Sequence, residues 1–247
     1  MIELKEVSLE YQNGTLALKD INLHIGQGEL VYIAGPSGSG KTSLLKLLMG
    51  MENPTAGTVT VLGKSLTNAK PRKISRIRRK IGPVFQDLKL IPGRSALENV
   101  LMGVRFLNFS WAKKNENALI AIERVGLAHK AYSMVENLSL GELQRVALAR
   151  AIAREPKIII ADEPTANLDH DNAVNIFNIL SSLKNQNITV IVATHATHLF
   201  DPKENFTLIR MDQGSISIEK RFCSNGERDI DTQMHQRSIR VERRGDV

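Results

Sequence analysis

Apolar positions along the chain fall into two rhythms. Ile2–Tyr11 and Leu16–Ile25 read as strands, with Asn13-Gly14 between them as a turn signal, and Thr58–Leu62 is expected to join the same antiparallel layer. Shorter, nearly unbroken apolar runs stand at Glu29–Ala34, Ile81–Phe85, Ile158–Ala161 and Ile188–Thr194. Runs of this length suit strands buried on both faces. The second rhythm is helical. Leucines at 44, 45, 47 and 48 lie within Thr42–Gly50, and Ser95-x-x-Glu98 opens a helix with Leu97, Val100, Leu101 and Val104 on one side. A further helix is expected over Trp111–Val125, stopping at Gly126, and another over Glu142–Arg154. Residues 29–50, 81–86 and 156–218 then form one α/β core, and about 93–150 is mainly helical.

The turn from the first buried run into the leucine helix carries Gly35-Pro36-Ser37-Gly38-Ser39-Gly40-Lys41-Thr42, with Ser43 next. It fits Gly-x-x-x-x-Gly-Lys-Thr between a strand and a helix, the arrangement of a phosphate-binding loop. Gly35, Gly38 and Gly40 have no side chains, so the backbone can turn tightly and bring successive N–H groups onto phosphate oxygens. The helix that starts near Gly40 adds the positive end of its dipole. Lys41 supplies a mobile charge for the β- and γ-phosphates, and the Thr42 hydroxyl can ligate Mg²⁺. The strand and helix on either side set this loop apart from a glycine-rich turn with a chance lysine.

The apolar run Ile158–Ala161 ends in Asp162, Glu163 and Pro164. Two acids where a buried strand emerges are costly unless a cation or a water needs them. Asp162 is the expected Mg²⁺ partner, directly or through water. Glu163, one residue on, points the other way and can polarise an attacking water. A strand ending in a solvated acidic turn is the plainer reading, and the phosphate loop upstream weighs against it.

These residues resemble the ATP-binding subunits of ABC transporters, and the resemblance covers residues 1 to about 218. It implies an α/β fold with a P-loop nucleotide hydrolase core, an antiparallel β subdomain and an inserted helical signature subdomain. It implies ATP and Mg²⁺ as ligands and ATP hydrolysis as the activity. Tyr11 is similar to the family's aromatic that stacks on adenine, an interaction worth ~1–3 kcal/mol. Gln86 is similar to the glutamine that touches Mg²⁺ and the attacking water, and His195 to the histidine that contacts the γ-phosphate. Ala166-Asn167-Leu168-Asp169 resembles the loop that crosses the dimer interface. Taken alone, Tyr11 could pack on the sheet and His195 could be structural; the resemblance supplies their roles.

The family's common Leu-Ser-Gly-Gly-Gln is here Leu138-Ser139-Leu140-Gly141-Glu142. Ser139 and Glu142 are spaced as a capping box at the start of a helix whose apolar positions are 143, 146–148 and 151–153. Its N-terminal N–H groups and the Ser139 hydroxyl are expected to face outward as an anion site. By the resemblance, that site binds the γ-phosphate of ATP held on the opposite subunit. A homodimer closed on two ATP molecules is therefore implied, with Ser139, Gly141 and Glu142 among its nucleotide-binding residues. Gly141 is expected to keep the approach close, while Leu140 adds bulk beside it. The capping box by itself says only that a helix is capped.

The chain has 247 residues, enough for one domain with a sizeable core, and a net charge of +7. A lone Cys223 excludes an internal disulfide and suits a reducing cytoplasm. Met1-Ile2-Glu3-Leu4-Lys5 is not the start of a signal peptide, and no apolar run approaches the ~20 residues of a membrane span. A transporter-type ATPase of this kind is expected on the inner face of the cell membrane, docked to an integral membrane protein. Leu88, Leu90, Ile91 and Pro92 either fold back on the core or offer that partner a surface. Lys70–Lys80 holds seven cations and no acid, with Ile74, Ile77 and Ile81 on one side of an amphipathic helix. A solvated basic face is the simpler reading and contact with anionic lipid the sharper one. No aromatic residues are interleaved with these cations, so nucleic acid is disfavoured as a partner. The tail from Glu219 to Val247 mixes seven basic with six acidic residues and reads as a flexible extension.

Within the family, Ile81-Gly82-Pro83-Val84-Phe85-Gln86-Asp87 and Ala161–Asp169 look most like the group that serves cell division, lipoprotein release and MacB-type export. Phe85-Gln86-Asp87 leans towards the cell-division members, and amino-acid or lipoprotein transport is the alternative. A soluble ATPase of the same type acting on DNA or ribosomes would carry a long coiled coil between Gln86 and Ser139, or two cassettes in one chain. Neither feature is present.

Overall fold

A computed structural model describes residues 1–201, 203–223 and 228–232. Its elements in chain order are β1 (Ile2–Glu10), β2 (Leu16–Ile25), β3 (Leu30–Ala34), α1 (Lys41–Leu48), β4 (Ala56–Val61), β5 (Lys64–Ser65), α2 (Pro71–Arg78) and β6 (Ile81–Val84). There follow α3 (Ala96–Val104), α4 (Trp111–Arg124), α5 (Leu140–Ile152), β7 (Ile158–Asp162), α6 (His170–Lys184), β8 (Thr189–Thr194), β9 (Phe206–Asp212), β10 (Ser215–Cys223) and β11 (Arg228–Thr232). The antiparallel layer has the order β2-β1-β4-β5, and the turn between β1 and β2 closes with Gly14 at φ 79 and its N–H on Tyr11 O at 2.9 Å. The second sheet has seven strands in the order β11-β10-β9-β3-β8-β7-β6, and the five from β9 to β6 are parallel.

The parallel strands alternate between two cores. Val31, Ile33, Ile158, Ile160, Ile191 and Ala193 face the antiparallel layer and α1. Leu30, Tyr32, Ile159, Ala161, Val190 and Val192 face the helices α3 to α6. With both faces covered, the interior positions of β3, β7 and β8 are all apolar, which explains the unbroken runs in the sequence. On the helical side Tyr32 stacks on Phe200 at 4.0 Å, with Phe177 and Phe206 around the pair.

Strand β6 forms one edge of the sheet, where Pro83 is tolerated. Gly82 lets α5 close on it, because a Cβ there would meet Ala151 O and Ile159 Cδ1 at 2.7 Å each. Three expectations shift. The helix expected over Glu142–Arg154 runs two residues earlier, since the Ser139 cap starts it at Leu140. Ile81 does not share the face of Ile74 and Ile77: α2 ends at Arg78 and Ile81 begins β6. Strand β10 continues through the expected boundary at 218; residues 224–227 and 233–247, which make up most of the expected flexible tail, lie outside the described residues.

The helical region is stitched to the core by Arg154, just beyond α5. Its Nε donates to Ile81 O at 3.0 Å, Nη1 to Gly103 O at 2.6 Å and Nη2 to Arg78 O at 3.0 Å. No carboxylate pairs with it among the described residues, and burial lowers its pKa. Arg154→Leu would keep the aliphatic bulk and leave three carbonyls without their charged donor. It is expected to cost ~2–4 kcal/mol of stability, read as a lower urea midpoint at unchanged slope. A midpoint equal to that of the parent would show that these bonds contribute nothing net.

Candidate active site

Register brings the chemistry to one edge. Ala34 pairs with Thr194, Asp162 with Ala193 and Val84 with Ala161. Gly35, Glu163, His195 and Gln86 therefore leave the sheet together, at the C-terminal ends of parallel strands, where open α/β sheets bind ligands.

The loop between β3 and α1 depends on glycine at two kinds of position. Gly38 and Gly40 have φ of 78 and 106. A Cβ on Gly35 would lie 2.2 Å from Met211 O, so only glycine fits against β9 there. Lys41 is buried; its Nζ donates to Gly35 O at 2.7 Å and Pro36 O at 3.0 Å, and lies 3.8 Å from Glu163 Oε1. Thr42 Oγ1 donates to Asp162 Oδ2 at 2.9 Å. The other carboxylate oxygen, Asp162 Oδ1, is buried without a hydrogen-bond partner among the described residues, as is Ser39 Oγ. Burial raises the pKa of Asp162, and the Thr42 hydroxyl partly offsets this. A cation is what such a carboxylate lacks. Among the described residues no three of His, Cys, Asp and Glu gather to hold a metal by themselves. An acid and a hydroxyl that share a cation with phosphate oxygens fit Mg²⁺.

Glu163 has φ 46, unusual for a residue with a side chain, and its N–H is held by Ala193 O at 2.8 Å. This strain of ~1–3 kcal/mol is the kind that collects at functional sites. It turns the carboxylate away from Asp162 to place Oε2 3.0 Å from His195 Nδ1. Glu163 is 13% exposed and His195 73%, so the histidine is the solvent side of the pair. Phe200, packed on Tyr32, anchors the segment that follows His195. Tyr11 lies half-buried against the core, its hydroxyl 3.0 Å from Ser43 Oγ at the start of α1. Gln86 is exposed, two residues past β6.

The residues of the α5 cap stand apart from this group. The expected capping box is present: Ser139 Oγ accepts from Glu142 N at 3.4 Å, and Glu142 Oε2 accepts from Ser139 N at 3.0 Å. Lys130 Nζ lies 2.6 Å from Glu142 Oε1, and that bond together with the Ser139 N–H lowers the pKa of Glu142. Ser139 and Leu140 are exposed, and among the described residues neither Ser139 nor Glu142 bonds to the phosphate loop. Gly141 is buried, and the close approach it permits is to its own chain: a Cβ would meet Asn172 Oδ1 at 2.6 Å. Asn172 in turn accepts from Arg145 at 3.1 Å and donates its Nδ2 to Asp169 Oδ2 at 2.7 Å. Asp169 caps α6, and these bonds, led by the Asn172 N–H, lower its pKa.

Two participants escaped the sequence reading. Arg150 on α5 donates to Leu88 O and, at 2.6 Å, to Lys89 O, pinning the loop after Gln86 where φ is 25 and 51. Asn172 links α5 to Asp169. Arg150 binds backbone carbonyls and Asn172 meets Arg145 on another helix, so spacing carried no sign of those bonds; only the Asp169-x-x-Asn172 cap spacing was local. Leu90 packs on the helical core whereas Ile91 is exposed, so the apolar loop cluster folds back on the core only in part.

Comparisons with known proteins follow the same lines. A family model described as ABC transporter matches residues 18–166. The cell division ATP-binding protein FtsE of Bacillus subtilis is 42% identical over 216 residues, 87% of this chain and 94% of that protein. The phosphonates import ATP-binding protein PhnC of Lactobacillus acidophilus is 41% identical over 208 residues, 81% of each chain. Among solved structures, the dimeric ATP-binding cassette MJ0796, in a post-hydrolysis state bound to ADP and Pi, superposes with a TM-score of 0.79 at 36% identity, covering 89% of this chain and 98% of that one.

The packing of Gly141 can be tested by a double-mutant cycle. Gly141→Ala is expected to destabilise the chain by ~1–3 kcal/mol, the usual cost of overpacking. In an Asn172→Ala background the same change should cost less than half as much, because the Oδ1 and Cγ it would strike are gone. Additive costs in urea unfolding would show that the two residues do not collide.

Proposed function

This chain belongs to the ABC transporter ATP-binding family, and from that premise we propose that two copies close on two ATP molecules and drive an integral membrane partner. It binds and hydrolyses ATP. The observation that carries the dimer is the separation of the two half-sites. Lys41, Thr42, Asp162, Glu163 and His195 are bonded together at the sheet edge, whereas the capped end of α5 is exposed and bonds to none of them. A second copy would bring its Ser139 end to the γ-phosphate held by the first.

In that arrangement the N–H groups of residues 35–43 and Lys41 hold the β- and γ-phosphates, and Tyr11 meets the adenine. Asp162 and Thr42 would hold Mg²⁺, with Gln86 beside them, and the ion would supply charge to neutralise the phosphates. Water attacks the γ-phosphorus while Glu163 accepts a hydrogen bond from it and takes its proton, and the bond from the γ-phosphorus to the bridging oxygen breaks, leaving ADP and phosphate. His195 orients Glu163 and meets the γ-phosphate from the exposed side. Opening of the dimer after hydrolysis transmits work to the partner.

No helix among the described residues is long and apolar enough to cross a membrane. The reading is therefore a peripheral subunit held at the inner face by its partner, with α2 as the chain's own candidate contact with lipid. Similarity to FtsE favours a role in cell division. The nearly equal identity to PhnC keeps import as a second reading. The membrane protein that co-purifies with the chain separates them.

Glu163→Gln should bind ATP as the parent does, lose at least ~100-fold in turnover and accumulate ATP-dependent dimers. Turnover and sedimentation with ATP are the measurements; near-parental turnover removes Glu163 from its role. Ser139→Arg should leave ATP binding by the monomer intact while blocking dimerisation and turnover, because a bulky cation fills the seat of the second copy's phosphate. Weakened binding of a fluorescent ATP analogue to the monomer would count against a site shared between copies.

A further inference from the structure

Residues 53–86 contain eight cations and not one carboxylate. The fold gathers five of them. Lys64 on β5 and Lys70, Arg72, Lys73 and Arg76 at α2 surround an open basin of about 630 Å³ that Asn68 also lines. All five are exposed, and none pairs with a carboxylate among the described residues. The apolar side of α2 is already spent on the protein: Ile77 is buried and Ile74 packs on the core. Arg78 is likewise spent, donating to Met49 O at 2.9 Å and Gly50 O at 2.6 Å. What α2 offers outward is positive charge without an apolar wedge.

We propose that this basin is an electrostatic docking site for the phosphates of anionic lipid headgroups, an attachment to the membrane surface that the chain makes for itself. Uncompensated cations repel one another, and a surface that gathers five has a use for an opposing charge. A lipid surface fits better than nucleic acid: no aromatic residue lines the basin to stack a base, and none stands between Lys64 and Arg79. The absence of an outward apolar residue makes the contact reversible and salt-sensitive, because each cation near an anionic surface contributes about a factor of five in binding. The proposal rests on the reading that the chain works beside a membrane. Its test involves neither hydrolysis nor the protein partner, so the two can fail separately.

The test is co-sedimentation of the purified full chain with vesicles of phosphatidylcholine alone, or of phosphatidylcholine with one-third phosphatidylglycerol. Binding is expected only to the anionic vesicles and is expected to fall steeply as sodium chloride rises. The variant Arg72→Glu/Lys73→Glu/Arg76→Glu should lose about 100-fold or more in binding and keep ATPase activity within about twofold. Lys5→Glu/Lys19→Glu/Lys203→Glu makes the same change in net charge elsewhere and should bind like the parent. Equal losses in both variants would assign binding to net charge and overturn the site. So would parental binding to phosphatidylcholine alone, or tighter retention on a single-stranded oligonucleotide than on anionic vesicles. Release of the parent by millimolar inorganic phosphate, at constant ionic strength, would make the basin a free-phosphate site instead. If the α2 variant loses ATPase activity through misfolding, the lipid, salt and phosphate series on the parent still decides.

Discussion

The in-register pairing of β3, β8, β7 and β6 is what the rest of the molecule depends on. Ala34 opposite Thr194 and Asp162 opposite Ala193 bring four loops out at one level. Residues far apart in the chain then come within bonding distance: Thr42 with Asp162, 120 positions on, at 2.9 Å, and Glu163 with His195, 32 positions on, at 3.0 Å. Slipping one strand by a single residue would reverse the faces of its side chains and separate these pairs. The two apolar cores, one on each face of the sheet, hold the register against such a slip. The polar edge is thus positioned by packing that is itself entirely apolar.

That edge is assembled at some local expense. Asp162 keeps a buried carboxylate oxygen without a partner among the described residues, and Glu163 adopts a backbone conformation that side chains disfavour. Both features are unfavourable to a fold that had only to be stable, and both serve a site that must hold a cation and aim a carboxylate at water. The neighbouring strands, buried on both faces, supply the stability that makes such local strain tolerable.

Helix α5 joins the two halves of the mechanism through half-buried arginines. Its first turn carries the Ser139 cap, its third holds the loop after Gln86 through Arg150, and just past its end Arg154 binds Ile81, Gly103 and Arg78. Burial lowers the pKa of both guanidiniums, and both are satisfied by carbonyl oxygens. A planar fork suits such multiple contacts, which lysine could not reproduce. A change in how α5 sits on the core would move the Ser139 cap and the Gln86 loop together, because one rigid element bonds to both.

Much of this was legible in the sequence because it is written in short-range terms. Strand runs, the glycine-rich loop, the acids ending Ile158–Ala161 and the Ser-x-x-Glu boxes each depend on residues a few positions apart, where propensity and sterics act directly. Four of the five parallel strands and helices α1 to α5 follow from those patterns; β9 and α6 were not singled out by them. Tertiary structure alone decided the rest. It showed that Gly141 is small to admit Asn172, that α2 stops before Ile81, that Leu90 packs inward while Ile91 does not, and that Arg150 and Arg154 bind carbonyls from distant elements. Those facts are set by which surfaces meet when two cores close around one sheet. A backbone carbonyl has the same identity at every position, so no residue pattern announces which one a distant arginine will find.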